Sequence, residues 1–373
     1  MEEGKSGEKK KVMVAIDESE NSHYTLEWTL DKLRETIADS DVIIFTAQPN
    51  SDLGYVYASS LGAAPVDLIT SIQENHKKVA SLLLDKAKDI CAKYGIVAET
   101  VTEIGDPKYA ICEAVEKLNI ELLVLGSHNR GPVQRAFLGS VSNYCVQNAK
   151  CPVLVVKKPA LKEVDVRKRR LHRPMHQVSI ILYRHITLEK KRTLGYLWRK
   201  TYCRGITNGS TNTLLNSKQW PVHLKTFNDI NRANMKVMVV IDESECSYRA
   251  LMWVLDNLKE SIKNLPLVIF AAQPPPNSMD LFNSVQQQNK KVALGIFEKA
   301  KRICASKGVT VEAITEAGYP KEVICDAVQK CGVNLLVIGD EANGNIKRAL
   351  LGSVSSYCVQ NAKCQVLLVR NKA

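Results

Sequence analysis

The residues with the most chemical capacity occur at two kinds of position, and each kind occurs twice. Asp17 follows the apolar run at 12–16, and Asp242 follows the equivalent run at 237–241. A carboxylate at the end of a buried strand can accept hydrogen bonds from a sugar hydroxyl or a base N–H. After another apolar run come Gly126, Ser127, His128, Asn129, Arg130, Gly131 and Pro132, and Gly139-Ser140-Val141-Ser142 then opens a helical pattern. The second occurrence reads Gly339-Asp340-Glu341-Ala342-Asn343-Gly344, followed by Gly352-Ser353-Val354-Ser355. Glycine lets a backbone approach a ligand closely, and the unpaired amides of a helix N-terminus favour phosphate. Ser140 and Ser353 suit the helix cap and can donate hydroxyls to phosphate oxygens. Arg135 and Arg348 stand four residues before each Gly-Ser pair and read either as phosphate partners or as solvated loop residues. On composition alone, the whole loop also reads as a plain connecting turn.

Several other chemistries are excluded. Gly131 is followed by Pro-Val and Gly344 by Asn-Ile, so neither loop is a P-loop, and no G-x-G-x-x-G is present. His128 faces Glu341 in the alignment of the two copies, so no shared catalytic base emerges, and no Ser/His/Asp or Cys/His set can be built from paired positions. Of the eleven cysteines, Cys91, Cys112, Cys145 and Cys151 recur as Cys304, Cys325, Cys358 and Cys364 on apolar faces. Without a C-x2-C pair or zinc-spaced histidines they read as small core residues, with an intersubunit redox role as the minor alternative. Ser19 and Ser244 read as helix caps, and Trp28 and Trp253 as packing residues at equivalent helix positions.

The elements that must position these residues are legible from an internal repeat. KVMVAIDESE at 11–20 returns as KVMVVIDESE at 236–245, and RAFLGSVSNYCVQNAKCPVLVV at 135–156 returns as RALLGSVSSYCVQNAKCQVLLV at 348–369. The expected organisation is a tail at 1–10, one domain at 11–158, a connector at 159–235 and a second domain at 236–371. In the first copy, runs at 12–16, 42–47, 122–125 and 152–156 are almost continuously apolar and β-branched, which is how strands buried on both faces of a parallel sheet read. The more polar run at 97–101 fits a strand nearer the edge. Leu26, Leu30, Leu33 and Ile37 form one helical stripe, repeated as Leu251, Leu255, Leu258 and Ile262. Further helices are suggested by Val79–Leu83–Ile90, Ile111–Ala114–Leu118 and Val141–Cys145–Ala149. Strand–helix alternation of this kind implies an α/β/α sandwich with right-handed crossovers. Ligands in such sheets bind beyond the carboxyl ends of strands, near a switch point, which is where the aspartates and glycine loops fall.

These motifs resemble the universal stress protein family, in its plant form. VAIDESE, GSHNRGPVQRAFLGSVS and CPVLVVKKP carry the resemblance, together with their second-copy equivalents. It implies two Rossmann-like sandwiches, each with a five-stranded parallel sheet, and pairing through the last strands, either within the chain as a pseudo-dimer or as a homodimer. It also implies ATP binding, with or without Mg2+, by a G-x2-G-x9-G-[S/T] loop. Carried over, Asp17 contacts adenine or ribose and Gly126, Gly139 and Ser140 contact phosphates; Asn129, Gly131, Arg135 and Ser142 complete that set. Asp242, Gly339, Gly352 and Ser353, with Gly344, Arg348 and Ser355, form the second. Both copies depart from the pattern at its second glycine, Asn129 in one and Ala342 in the other, and alanine adopts the left-handed conformation poorly. Asp340 and Glu341 put negative charge beside a triphosphate where the first copy has Ser127 and His128. The nucleotide is therefore expected more strongly in the first copy.

The net charge of +12 suggests nucleic acid as a partner until it is partitioned. Residues 1–160 carry −4, residues 235–373 carry +4, and the stretch between carries +12. The excess lies in the connector, so no nucleic acid is expected for the folded copies. The connector holds four of the seven histidines and a basic run at Arg167–Arg170. It reads as a flexible basic linker with a nuclear-import or anionic-surface patch at 167–170, as an irregular subdomain, or as the product of two merged reading frames. No apolar run reaches the ~18 residues of a membrane span, and no secretory segment is evident, so a cytoplasmic protein is expected. The expected function is a stress-linked sensor or switch that binds ATP or a related adenine nucleotide. A weak ATPase and a nucleotide-free interaction module are the alternatives.

Overall fold

The computed structural model describes residues 9–49, 66–127, 138–159, 235–273, 275, 282–340 and 352–370. Asn129, Gly131, Arg135, Gly344 and Arg348, and nearly all of the connector with its basic run, lie outside the described residues. The chain divides into two units, 1–158 with 224–373, and 159–223. The first of these holds every element below.

Its first half contains β1 (Lys11–Ala15), α1 (Glu20–Lys32), α2 (Arg34–Ile37), β2 (Asp41–Gln48), α3 (Val66–Lys93), β3 (Ala98–Ile104), α4 (Pro107–Lys117), β4 (Leu122–Gly126), α5 (Ser140–Asn148) and β5 (Val153–Val156). The second half contains β6 (Val237–Val240), α6 (Glu245–Asn257), β7 (Leu267–Gln273), α7 (Phe282–Ser306), β8 (Val311–Ala317), α8 (Pro320–Lys330), β9 (Leu335–Gly339), α9 (Ser353–Asn361) and β10 (Gln365–Val369). All ten strands form one sheet in the order β3-β2-β1-β4-β5-β10-β9-β6-β7-β8. Neighbours within each half run parallel, whereas β5 and β10 pair antiparallel, with Leu154 opposite Leu367. The α/β sandwich expected from the alternating pattern, Rossmann-like as the family resemblance implies, is present in each half.

The central strands are apolar because both of their faces are covered. Residues of β1, β2, β4 and β5 alternate between two cores without meeting water, so almost every position is buried. The edge strands β3 and β8 instead show buried or half-buried residues alternating with exposed ones, which accounts for their polar composition. On one face, α4, α5, α8 and α9 close a single apolar cluster that runs through Phe45, Ile111, Cys145, Val155, Val366 and Phe270, across the junction of the halves. α1 packs on β4 over the opposite face, and α6 on β9.

Two sequence expectations change in detail. The stripe Leu26, Leu30, Leu33 and Ile37 is fully buried, yet it belongs to two helical segments that break at Leu33, where φ is −109°. Two side chains bond back into the preceding turn there, Thr25 to the Asn21 carbonyl and Thr29 to the Thr25 carbonyl, an arrangement that bends helices. In α3 the buried positions are Ala80, Leu83, Leu84, Ala87 and Cys91, whereas Val79 is 38% exposed. Leu83 keeps its place in the stripe, whereas Ala80 and Cys91 turn inward where Val79 and the half-buried Ile90 were expected to.

The cysteines fill core positions. None of the described ones is in a disulfide, and most are buried. Burial pushes the Cys91 thiol up to about 11 and the Cys364 thiol up to about 12. A thiol hydrogen bond joins Cys112 to Cys145 and, in the second half, Cys325 to Cys358, holding the first member of each pair below the ordinary thiol range. Among the described residues, no group of His, Cys, Asp or Glu side chains is placed to hold a metal ion.

Candidate functional site

In the first half the strand order reverses between β1 and β4, and the gap beyond their carboxyl ends opens into a cavity of about 550 Å³. That volume lies within the range of small-molecule sites. Its walls differ in chemistry. Phe45, Ala47, Pro107, Ile111 and Leu125 make an apolar side, whereas Asp17, Ser19, Asn21 and Ser22 make a polar one. Gly126, Gly139, Ser140 and Ser142 close the far end at the start of α5.

The polar wall is built by a short turn from β1 into α1. Asp17 Oδ1 accepts from the Ser19 amide at 2.9 Å and from the Ser22 hydroxyl at 2.6 Å, and Ser19 caps α1 by accepting from the Ser22 amide at 3.2 Å. The carboxylate thus holds the turn that presents it, while the residue itself stays exposed at the cavity. The second half repeats the turn: Asp242 Oδ1 accepts from the Ser244 amide at 2.9 Å, and Ser244 caps α6. Both serines are caps, as their spacing suggested.

At the phosphate end, the cap residue is glycine and not serine. Gly139 occupies the N-cap of α5 and Gly352 that of α9, and neither helix has a side-chain cap hydrogen bond. Ser140 and Ser353 stand one position later, at the exposed first helical residue. The reading of these serines as caps is therefore corrected: a glycine N-cap supplies no side-chain acceptor of its own to the first amides of either helix. Ser142 is buried and donates to the Gly126 carbonyl at 2.8 Å, tying the end of β4 to α5. Gly126, Gly139, Ser140, Ser142 and Asp17 are thus brought together in the first half. In the second, Asp242, Gly339, Gly352, Ser353 and Ser355 take the equivalent places in the turn, the strand end and the helix start.

Sequence reasoning passed over Asn21, Ser22, Phe45 and Pro107 as cavity residues. Asn21, Ser22 and Pro107 lie in the first turn of the helix that follows a strand, where the strand-end rule points, whereas Phe45 lies inside β2, three residues before its end.

Gly126 and Gly339 are required by a close approach and not by a special φ. A Cβ at Gly126 would stand 2.8 Å from the Thr25 hydroxyl and 3.3 Å from the Asn21 carbonyl. A Cβ at Gly339 would overlap the Cys246 carbonyl outright. Gly339→Ala is therefore expected to destabilise the protein by about 1–3 kcal/mol, as overpacking does. Gly126→Ala should cost less, since a hydroxyl can rotate away and a backbone carbonyl cannot. Urea unfolding of the two variants side by side checks the order.

The parallel strands, the switch point and the cavity beyond the strand ends together define a Rossmann-like α/β protein. The chain belongs to the universal stress protein family, whose profile matches residues 9–157 and 233–370. It is 32% identical over 160 residues to a universal stress protein A-like protein of Arabidopsis thaliana, covering 40% of this chain and 91% of that one. It is 31% identical over 145 residues to the universal stress protein YxiE of Bacillus subtilis, covering 36% and 98%. A solved universal stress protein from Archaeoglobus fulgidus matches at TM-score 0.59 with 16% identity, over 97% of this chain and 98% of that one, and so shows the same fold.

Proposed function

We propose that this protein is a stress-response module that binds ATP or a related adenine nucleotide in its first half and acts as a sensor or switch. The observation that carries the reading is the 550 Å³ cavity at the switch point, apolar on one side, polar on the other, and closed by the uncapped N-terminus of α5. A nucleotide has the same three-part chemistry. The base lies against Phe45, Pro107, Ile111 and Leu125, Asp17 accepts from base or sugar, and the phosphates, with or without Mg2+, meet Gly126, Gly139 and Ser140. Membership in the family supports the reading too, since the resemblance drawn from the glycine loop implies ATP in many members.

Catalysis is a weaker reading. Among the described residues lining the cavity, Asp17 is the one titratable side chain. It is already engaged by Ser19 and Ser22. Any hydrolysis is slow and incidental without a placed general base. The antiparallel β5–β10 junction supports the pseudo-dimer form of the pairing expected through the last strands. Among the described residues, no helix is long and apolar enough to cross a membrane.

Titration calorimetry with ATP, together with mass spectrometry of nucleotide that co-purifies, tests the proposal. The expected result is saturable binding that Asp17→Asn weakens by about 10–100-fold, the worth of a charge-assisted hydrogen bond. Asn keeps the acceptor that organises the Ser19–Ser22 turn, so the melting temperature should change little. No binding at millimolar ATP would sink the reading.

A further inference from the structure

We infer that the second half's anion position is occupied by the chain's own Asp340 carboxylate, so that each chain offers one site for a phosphorylated ligand and not two. The inference rests on the reading of the first half's strand end as a phosphate site, and it concerns the equivalent point in the second.

Asp340 follows β9 where Ser127 follows β4, and the two backbones are placed alike. The Ser127 amide donates to the Val156 carbonyl at 2.9 Å and the Asp340 amide to the Val369 carbonyl at 3.0 Å. Their side chains meet different partners. Asp340 Oδ2 accepts from Arg370 Nε at 2.7 Å and Nη2 at 2.6 Å, and the two side chains are only 6% and 7% exposed. Its other oxygen, Oδ1, stands 3.8 Å from where a Cβ on Gly352, the cap of α9, would be. A carboxylate clamped by arginine beside a helix start that lacks a side-chain cap does what a bound phosphate would do there, with the same sign of charge. A phosphorylated ligand entering this point would meet a fixed negative charge in a poorly solvated place.

A second observation points the same way. α6 lies so close to Gly339 that a Cβ there would overlap the Cys246 carbonyl, whereas the matching Asn21 carbonyl stands 3.3 Å from the Cβ position on Gly126. Thr25, whose hydroxyl props α1 away from Gly126, is Ala250 in the second half. Losing that hydroxyl lets the helix settle onto the strand end and narrows the gap a ligand would use.

Arg370 also leaves the site. Its Nη1 donates at 2.9 Å to the Gln147 carbonyl in the last turn of α5, the helix whose other end faces the first half's cavity. Lys157, its counterpart at the end of β5, donates at 2.6 Å to the Ala362 carbonyl at the C-cap of α9. Each last strand thus sends a cation across the junction to the negative end of the other half's ligand helix. Among the described residues, it is in the second half that this cation turns back onto a carboxylate of its own.

The test uses the full chain and inorganic phosphate. Asp340→Ser installs the first half's residue and leaves Arg370 facing an empty anion position. Thermal unfolding in 50 mM phosphate and in chloride of equal ionic strength is compared for wild type and variant, which subtracts general salt effects and any phosphate bound in the first half. The expected result is an excess rise of about 3–5 °C for the variant, as a new site of roughly millimolar affinity would produce. Asp340→Asn gives up the charge but keeps the shape, and is the second variant should the serine form not fold; it should show a smaller excess. No excess in either variant overturns the inference, as would two equivalents of ATP bound per wild-type chain. The phosphate comparison uses no nucleotide, so its outcome is independent of whether the first half binds ATP.

Discussion

Arg370→Ala is expected to cost about 3–5 kcal/mol of stability, the range for breaking a buried ion pair from one side. The arginine makes two bonds to Asp340 and a third to the Gln147 carbonyl. Removing it strands a carboxylate whose side chain is 6% exposed, and water cannot reach the group well enough to replace the guanidinium. It also takes a cation from the C-terminal end of α5 and a cross-link from the junction of the halves. The asymmetry of buried pairs makes the prediction sharp: Asp340→Leu with Arg370→Met should recover most of the loss, because no charge is then left unpaired. Urea unfolding of the single variants and the double variant as a cycle measures this. A loss below about 1 kcal/mol for Arg370→Ala would mean that the pair is solvated, like an ordinary surface ion pair.

Leu367→Ala is expected to cost about 2–5 kcal/mol, the range for a buried leucine that leaves a cavity. Leu367 is 1% exposed and sits in β10 opposite Leu154 of β5, also 1% exposed, at the place where the two five-stranded sheets become one. The strands around it are short and the pairing register spans only three residues, so the backbone has little freedom to collapse into the gap. Leu154→Ala should cost a similar amount, and the double variant should fall short of the sum, because the two side chains are cross-strand neighbours and share one cavity. Val79→Ala, on the outward face of α3 at 38% exposure, should stay within about 0.5 kcal/mol. Denaturant midpoints of the four variants test the contrast. If Leu367→Ala is as mild as Val79→Ala, β5 and β10 are not packed together in solution.

How much of the site was legible follows from how each residue acts. Asp17, Gly126 and Gly139 could be read because each works through its own backbone position: a strand end, a close approach, a helix start. The cap was read one residue late, at Ser140, since serine is the stronger cap by composition and only backbone angles show that Gly139 holds the place. Phe45 and Pro107 escaped because a cavity wall assembles side chains from separate elements, and an apolar residue inside a strand or at a helix start looks structural until the neighbouring elements are placed.

The sequence by itself determined the two copies, the ten strands and the positions of the aspartates and glycines at the strand ends. Burial on both sheet faces writes continuous β-branched runs, and exposure of one face writes alternation, so local composition records each strand's environment. Tertiary structure alone decided which apolar positions of α3 turn inward, that β5 and β10 join antiparallel within one chain, and that Asp340 is held by Arg370 thirty residues away while Arg370 reaches Gln147 across the junction. Periodicity encodes how deeply a residue is buried. It does not encode which distant residue shares that burial, because the partner is set by how the assembled sheet brings separate strand ends together.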